Sequence, residues 1–97
     1  MRIVITESAA DDLAEGHIFY DRQLPGVGNY FRASILADIR SLIVFHSLHE
    51  IHFGIYFRKI ASKFPYAIYY TVDGSEIRIF ADTRRDPSQI RRRFETD

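Results

Sequence analysis

An α+β fold, two helices laid against a mainly antiparallel sheet, follows from three observations on the 97-residue sequence. First, Lys63-Phe64-Pro65-Tyr66-Ala67-Ile68-Tyr69-Tyr70-Thr71-Val72 is its most β-prone run. At a period of two, Tyr66, Ile68, Tyr70 and Val72 share one face, and Ala67, Tyr69 and Thr71 the other. Both faces are largely apolar or aromatic, as in a central strand covered on at least one side. Second, Asp73-Gly74 follows at once and a further strand pattern starts at Ser75, a hairpin signal. Ile55–Ile60 lies upstream as a partner for the central run, so residues 55–83 read as a three-strand meander. Third, the first half carries two segments of helical period that can cover this sheet.

In chain order, Arg2-Ile3-Val4-Ile5-Thr6 is short and β-branched and reads as an opening strand. Ser8 and Asp11 have capping-box spacing, and Asp11 and Asp12 suit the positive end of a helix dipole. Ala10, Leu13, His17, Tyr20 and Leu24 then recur at helical spacing, with Gly16 a weak point. Pro25-Gly26-Val27-Gly28 breaks the chain. Asn29 is the expected cap of a second helix, from about Tyr30 to Phe45, with the stripe Phe31, Ile35, Ile39 and Leu42 widened by Leu36 and Ile43. Two such helices on a short turn make a helical hairpin. Pro65, which cannot donate to a ladder, should mark the start of its strand. In the last strand, Ile77, Ile79 and Ala81 alternate with Arg78, Phe80 and Asp82. Asp86-Pro87-Ser88-Gln89 has the chemistry of a helix opening, followed by the basic Ile90-Arg91-Arg92-Arg93-Phe94. The expected order is β-α-α-β-β-β-(α), with residues 1–97 as one domain.

His46–Gly54 reads as a loop. Its three histidines raise the question of a metal. His49-Glu50-Ile51-His52 is one residue short of the HExxH spacing, so the imidazoles would not align on a helix, and no carboxylate-rich partner segment is present. We expect no metal and no cofactor. His17, on an apolar stripe, reads as a half-buried, hydrogen-bonded core residue.

Composition excludes other classes. There is no cysteine, hence no disulfide and no thiolate metal site. No signal-like segment opens the chain and no apolar run approaches spanning length, so no membrane association and a cytoplasmic location are the expectation. Net charge is +0, but nine of the thirteen Lys+Arg fall in residues 58–97. That basic second half suits a polyanion, an acidic protein patch or simple solvation.

Several residues at these spacings look like the RelE/ParE superfamily, the toxin half of bacterial type II toxin–antitoxin pairs, often labelled plasmid stabilisation proteins. They are Ala10-Asp11-Asp12-Leu13 with Tyr20, the Pro25-Gly26-Val27-Gly28 turn leading to Phe31, Phe57-Arg58-Lys59 through Lys63–Tyr70, and Arg84-Arg85-Asp86-Pro87. The resemblance runs over nearly the whole chain. It departs at Thr83 and Asp82, where relatives commonly carry a histidine before Arg-Arg-Asp-Pro, and after Tyr70, where this chain has neither tyrosine nor histidine.

The resemblance implies a growth-inhibiting toxin, neutralised in a hetero-oligomer by a cognate antitoxin. One branch, ParE-like, inhibits DNA gyrase by binding and needs no acid–base pair. The other, RelE-like, is a ribosome-dependent mRNA endonuclease, which needs a base, an acid and cations for the phosphorane. Here Lys59, Arg78, Arg84 and Arg85 are its candidate catalytic residues. A tyrosine acid would have to be Tyr66 or Tyr69, both of which read as sheet residues. Because arginine is a poor base, the ParE-like branch fits better, with Arg58, Lys59, Arg84, Arg85, Arg91, Arg92 and Arg93 as candidate target contacts. A homologue that only binds the antitoxin is a third reading. For docking an antitoxin, the outer side of the helical hairpin and an edge formed by Ile55–Ile60 are the candidate surfaces.

Overall fold

A computed structural model of the chain describes residues 1–48, 50–52 and 56–84. The elements are β1 (Arg2–Ile5), α1 (Glu7–Gln23), α2 (Val27–Phe45), a 3₁₀ turn (His46–Leu48), β2 (Glu50–His52), β3 (Tyr56–Ile60), β4 (Tyr66–Asp73) and β5 (Glu76–Arg84). One five-stranded sheet runs β1-β5-β4-β3-β2. The pairs β2–β3, β3–β4 and β4–β5 are antiparallel, and β1 joins β5 in parallel. The expected meander is therefore present. Glu50–His52 adds a short strand where a loop is expected, because its backbone continues the ladder beside Arg58, Phe57 and Tyr56. Of the edge expected over Ile55–Ile60, Tyr56, Phe57 and Arg58 are therefore covered by β2, while residue 55 lies outside the described residues.

The cap of α1 is Thr6, not Ser8. The Thr6 hydroxyl accepts from the Ala9 amide at 3.2 Å and donates to the Ile79 carbonyl at 2.8 Å, so one side chain starts the helix and ties it to the sheet. The inward stripe keeps the expected Leu13 and Tyr20 and adds Ala9 and Gly16. Ala9, Leu13 and Gly16 are buried and Tyr20 packs on the core, whereas Ala10 and Leu24 are exposed. The cap of α2 is Gly26 at φ 96°, not Asn29, which lies inside the first turn. The Asp21 carboxylate does the capping from the other helix, accepting from the amides of Gly26 (3.0 Å) and Gly28 (3.2 Å). Phe31, Ile35, Ile39 and Leu42 are buried as the spacing indicates, but Ile43 is exposed because it turns past the sheet.

The helices cover one face of the sheet. Ile68, Tyr70, Ile77 and Ile79 meet Phe31, Ile35, Ile39 and Leu42 in the main core. Tyr70 stacks on Phe57 with centroids 5.4 Å apart and donates its hydroxyl to the His46 carbonyl at 2.5 Å. Tyr20, Phe31, Phe64 and Tyr66 form a ring cluster at one end, with centroid separations between 4.8 and 6.2 Å. The β4–β5 hairpin turns on Gly74 (φ 60°) and Ser75, with Asp73 facing Glu76, one residue later than the Asp73-Gly74 loop expected.

The strict alternation expected along β5 fails at Phe80. Tyr70 pairs with Ile79 and Tyr69 with Ala81, so Phe80 is a bulge residue. Ile77 and Ile79 belong to the helix-side core, whereas Ala81 packs with Ala67 and Tyr69 on the opposite face. Asp82, opposite Ile68, returns to the helix side and is fully buried, its amide donating to Asp12 on α1 at 3.2 Å. The expected C-terminal helix lies outside the described residues.

Two predictions follow from this packing. A Cβ at Gly16 would sit 2.5 and 2.6 Å from the ring of the fully buried Phe31. Alanine in a helix normally stabilises by about 1 kcal/mol over glycine, but overpacking costs about 1–3 kcal/mol, so Gly16→Ala should lower the urea midpoint. Burial pushes the Tyr70 phenol up to about 12. A raised folded-state value contributes stability that is complete below the unfolded value of about 10 and is lost as pH climbs toward 12, at most roughly 3 kcal/mol. Urea unfolding at stepped pH should show that loss in the wild type, and a shallower loss in Tyr70→Phe.

Candidate interaction surfaces

No helix among the described residues covers the sheet's other face, which we refer to as the open face or open side. Alternation from the core pairs Phe57–Tyr70 and Lys59–Ile68 places Phe57 and Lys59 on the helix side, and Tyr56, Arg58 and Ile60 on the open side. The adjacent sequence positions Arg58 and Lys59, both expected to contact a target, therefore point to opposite faces. Both are half-buried. With Arg58 on the open face stand Tyr69 and Thr71 from β4, and Arg78, Phe80 and Ala81 from β5. Tyr56 meets Phe80 edge-on at 5.3 Å. Tyr69, Ala67 and Ala81 are buried, whereas Arg78 is exposed.

Arg78 is held by Glu76. Its guanidinium donates to the Glu76 carboxylate at 2.7 and 3.2 Å, and Arg2 donates to the same carboxylate at 2.6 Å. Hydrogen bonds from Arg78 first, then Arg2, hold the Glu76 carboxyl below the usual carboxylate range. This triad joins β1 to β5 at the hairpin end of the open face. Arg84 ends β5 opposite Tyr66, while Arg85, Arg91, Arg92 and Arg93 lie outside the described residues. The structure thus brings Arg58 and Arg78 to one face and separates Lys59 from both. Such a surface offers fixed positive charge and aromatic contact area. Tyr66 is buried in the helix-side core and Tyr69 in the open-face cluster, in keeping with their reading as sheet residues.

Two further surfaces are apolar. Between the helices and β1 lies a groove of about 540 Å³, lined by Ile5, Leu13, His17, Ile18, Arg32 and Leu36 together with Ala10 and Ala14. A second concavity on α1, lined by Glu15, Ile18, Phe19, Arg22 and Gln23, shares Ile18 with it. His17 is half-buried as expected, but its Nδ1 has no hydrogen-bond partner among the described residues. Near the β2 edge, Val44 and Leu48 are 71% and 73% exposed, and Ile51 59%. Among the described residues no group of three or more acids and histidines is placed to hold a metal, and no helix is long and apolar enough to cross a membrane.

One polar contact that spacing did not reveal sets the turn between β3 and β4. Asp38, 8% exposed on α2, accepts from the Ser62 amide at 3.0 Å and from the Ser62 hydroxyl at 2.9 Å. The signal was a charged residue placed between Ile35 and Leu42 on an otherwise apolar stripe. The same turn carries Phe64 into the ring cluster and sets the Lys63 ammonium 5.2 Å from the Tyr30 ring. Asp38→Ala should cost about 1–3 kcal/mol in chemical unfolding, since it strands the Ser62 amide. Asp38→Asn, which keeps an acceptor, should cost less.

No protein-family model and no curated protein matches the chain. Among solved structures, a chain of the chromosomal ParDE TA system from P. aeruginosa superposes with a TM-score of 0.81 at 19% identity, over 89% of this chain and 97% of that one. The present chain therefore has the RelE/ParE-like fold that its sequence resembles, with two helices packed on one face of a mixed, mainly antiparallel sheet.

Proposed function

We propose that the chain, acting as one cytoplasmic domain, is the toxin of a type II toxin–antitoxin pair, ParE-like in action. In this reading it inhibits DNA gyrase by binding and is neutralised in a hetero-oligomer by a cognate antitoxin. The observation that carries the proposal is the fold shared, across nearly the full length of both chains, with a chain of a ParDE system. The make-up of the open face supports the ParE-like branch. Arg58 and Arg78 supply cations there, but arginine does not act as a base at neutral pH. Lys59, the one candidate base of the endonuclease reading, stands on the other side of the sheet from Arg78. Binding without chemistry needs only charge, aromatic area and shape. Arg85, Arg91, Arg92 and Arg93 extend the proposed target surface in sequence. The partner's seat is proposed on the outer side of the helical hairpin, where the groove and the exposed Ile18 and Phe19 offer apolar area for an amphipathic segment.

Induction of the chain alone in bacteria should arrest growth and raise gyrase-linked DNA breaks, with mRNA intact on ribosomes. Arg58→Ala should reduce those breaks roughly tenfold, the scale of one lost charged contact, while leaving the melting temperature near that of the wild type. Codon-phased mRNA cuts abolished by Lys59→Ala or Arg78→Ala would replace this reading with the endonuclease. Absence of any growth effect would leave a protein that only binds an antitoxin.

A further inference from the structure

Strand β1 is one rim of the sheet, and part of its main chain points away from β5. Arg2 and Thr6 donate their amides to the Ser75 and Ile79 carbonyls at 2.7 and 3.1 Å. Val4, paired with Arg78, lies in phase with them. Strand alternation therefore turns the amides and carbonyls of Ile3 and Ile5 outward, where no described residue takes them. The groove of about 540 Å³ starts at this same rim, since Ile5 is one of its walls. Open ladder groups and an apolar trough thus share one border.

That border selects the form of its occupant. A helix in the trough would bond its own main chain and gain nothing from the rim. An extended segment takes the ladder groups and, at its period of two, sends every second side chain to the helix side. There Ile5, Leu13, Ile18 and Leu36 call for apolar residues. Ile3 packs on the main core, so Arg2 and Val4 stand on the open side, where the alternate side chains would meet them. The Arg2 side chain is 76% exposed. Arg2 and Arg78 share the single carboxylate of Glu76, which leaves one positive charge over. No acid is among the described residues that line the groove, and Arg32 adds a cation to it. The complement is a strand of alternating apolar and acidic residues. A second copy of β1 lacks that pattern, because residues 1–6 hold no acid.

We propose that β1 receives an extended segment of a partner protein as a sixth strand of the sheet, hydrogen-bonded at Ile3 and Ile5, with apolar side chains in the groove and acidic ones beside Arg2. The proposal rests on the reading that a partner seats beside the helical hairpin, and it names that partner's docking element. A wholly apolar strand would desolvate the Arg2 guanidinium without compensation. The clasp of Arg2, Glu76 and Arg78 therefore discriminates among strands that the trough alone would accept.

The test uses the full chain, isotope-labelled, and peptides of about eight residues that alternate Val or Leu with Glu. A twin carries Lys at each Glu, and an N-methyl series blocks one peptide amide at a time. Amide exchange is followed by NMR. In the free chain, Ile3 and Ile5 should exchange about tenfold faster than Val4 and Thr6, or more. Saturating Glu peptide should slow Ile3 and Ile5 about tenfold, and the Lys twin should bind about tenfold more weakly. N-methylation should weaken binding at every second peptide position and spare those between. Arg2→Gln should shrink the preference for Glu over Lys. Ile5→Pro removes one outward donor and no bond to β5, and should lose the binding that Ile5→Val retains. If Ile5→Pro does not fold by circular dichroism, the N-methyl series decides on the unaltered chain. Binding without new protection at Ile3 and Ile5, an N-methyl series without a period of two, or no binding by the Glu peptide would overturn the strand site. Protection of both amides that grows with the chain's own concentration, without peptide, would overturn it in favour of a second copy. Growth arrest by a chain whose Ile3 and Ile5 gain no protection sinks the strand site and spares the toxin reading. Protection by the Glu peptide in a chain that never arrests growth does the reverse.

Discussion

Strand β5 carries one residue more than β4 between the pairs Tyr70–Ile79 and Tyr69–Ala81, and that surplus residue sorts the side chains of both faces. Before it, Ile77 and Ile79 fill the space under the helices. After it, Ala81 and Thr83 turn outward and Asp82 turns inward toward α1. Without the bulge, the inward position would pass to Ala81 and the acid would move to the open face. The helix-side core, the docking of α1 through Asp12 and the smooth aromatic patch of the open face all depend on this one local change of phase.

What the sequence disclosed, and what it hid, follows from the same physics. Long periodic stripes were legible: Phe31, Ile35, Ile39 and Leu42 are buried, and Tyr66 to Val72 form the strand between β3 and β5. Caps were not. Ser8 and Asn29 have the right chemistry, but Thr6 also had the Ile79 carbonyl within reach, and Asp21 reaches across from the neighbouring helix. Such partners are distant in sequence or on another element, so no local pattern reports them. Gly16 looked like a flaw in a helix and is instead the place where the Phe31 ring comes closest. The bulge was hidden because Ile77, Ile79 and Ala81 look like an unbroken alternation of period two. Among the candidate site residues, Arg58 and Lys59 were legible as cations, but their separation follows from β-strand parity that adjacency in sequence conceals.

The two surfaces lie on opposite sides of the sheet. Arg58 and Arg78 stand on one side, and the helices with their groove cover the other. A partner seated only on the helices would not reach Arg58 and Arg78. Complete masking would require it to continue round an edge, and the sheet has two, β1 and β2. At the β1 edge the chain has joined Arg2, Glu76 and Arg78 into a charged clasp, whereas beside β2 it leaves Val44, Leu48 and Ile51 exposed. Charge would oppose an apolar segment at the first edge more than at the second.

The parallel seat of β1 against β5 bears on synthesis. Residues 2–5 leave the ribosome well before their ladder partners, residues 76–79. Until those emerge, a nascent chain can close its helical hairpin but has no strand on which to lay the first segment, and the undersides of both helices stay wet. Completion of the fold is thus deferred until β5 has emerged. A message broken before the β5 codons would yield a sticky fragment, a natural substrate for proteases and not a partial version of the finished molecule.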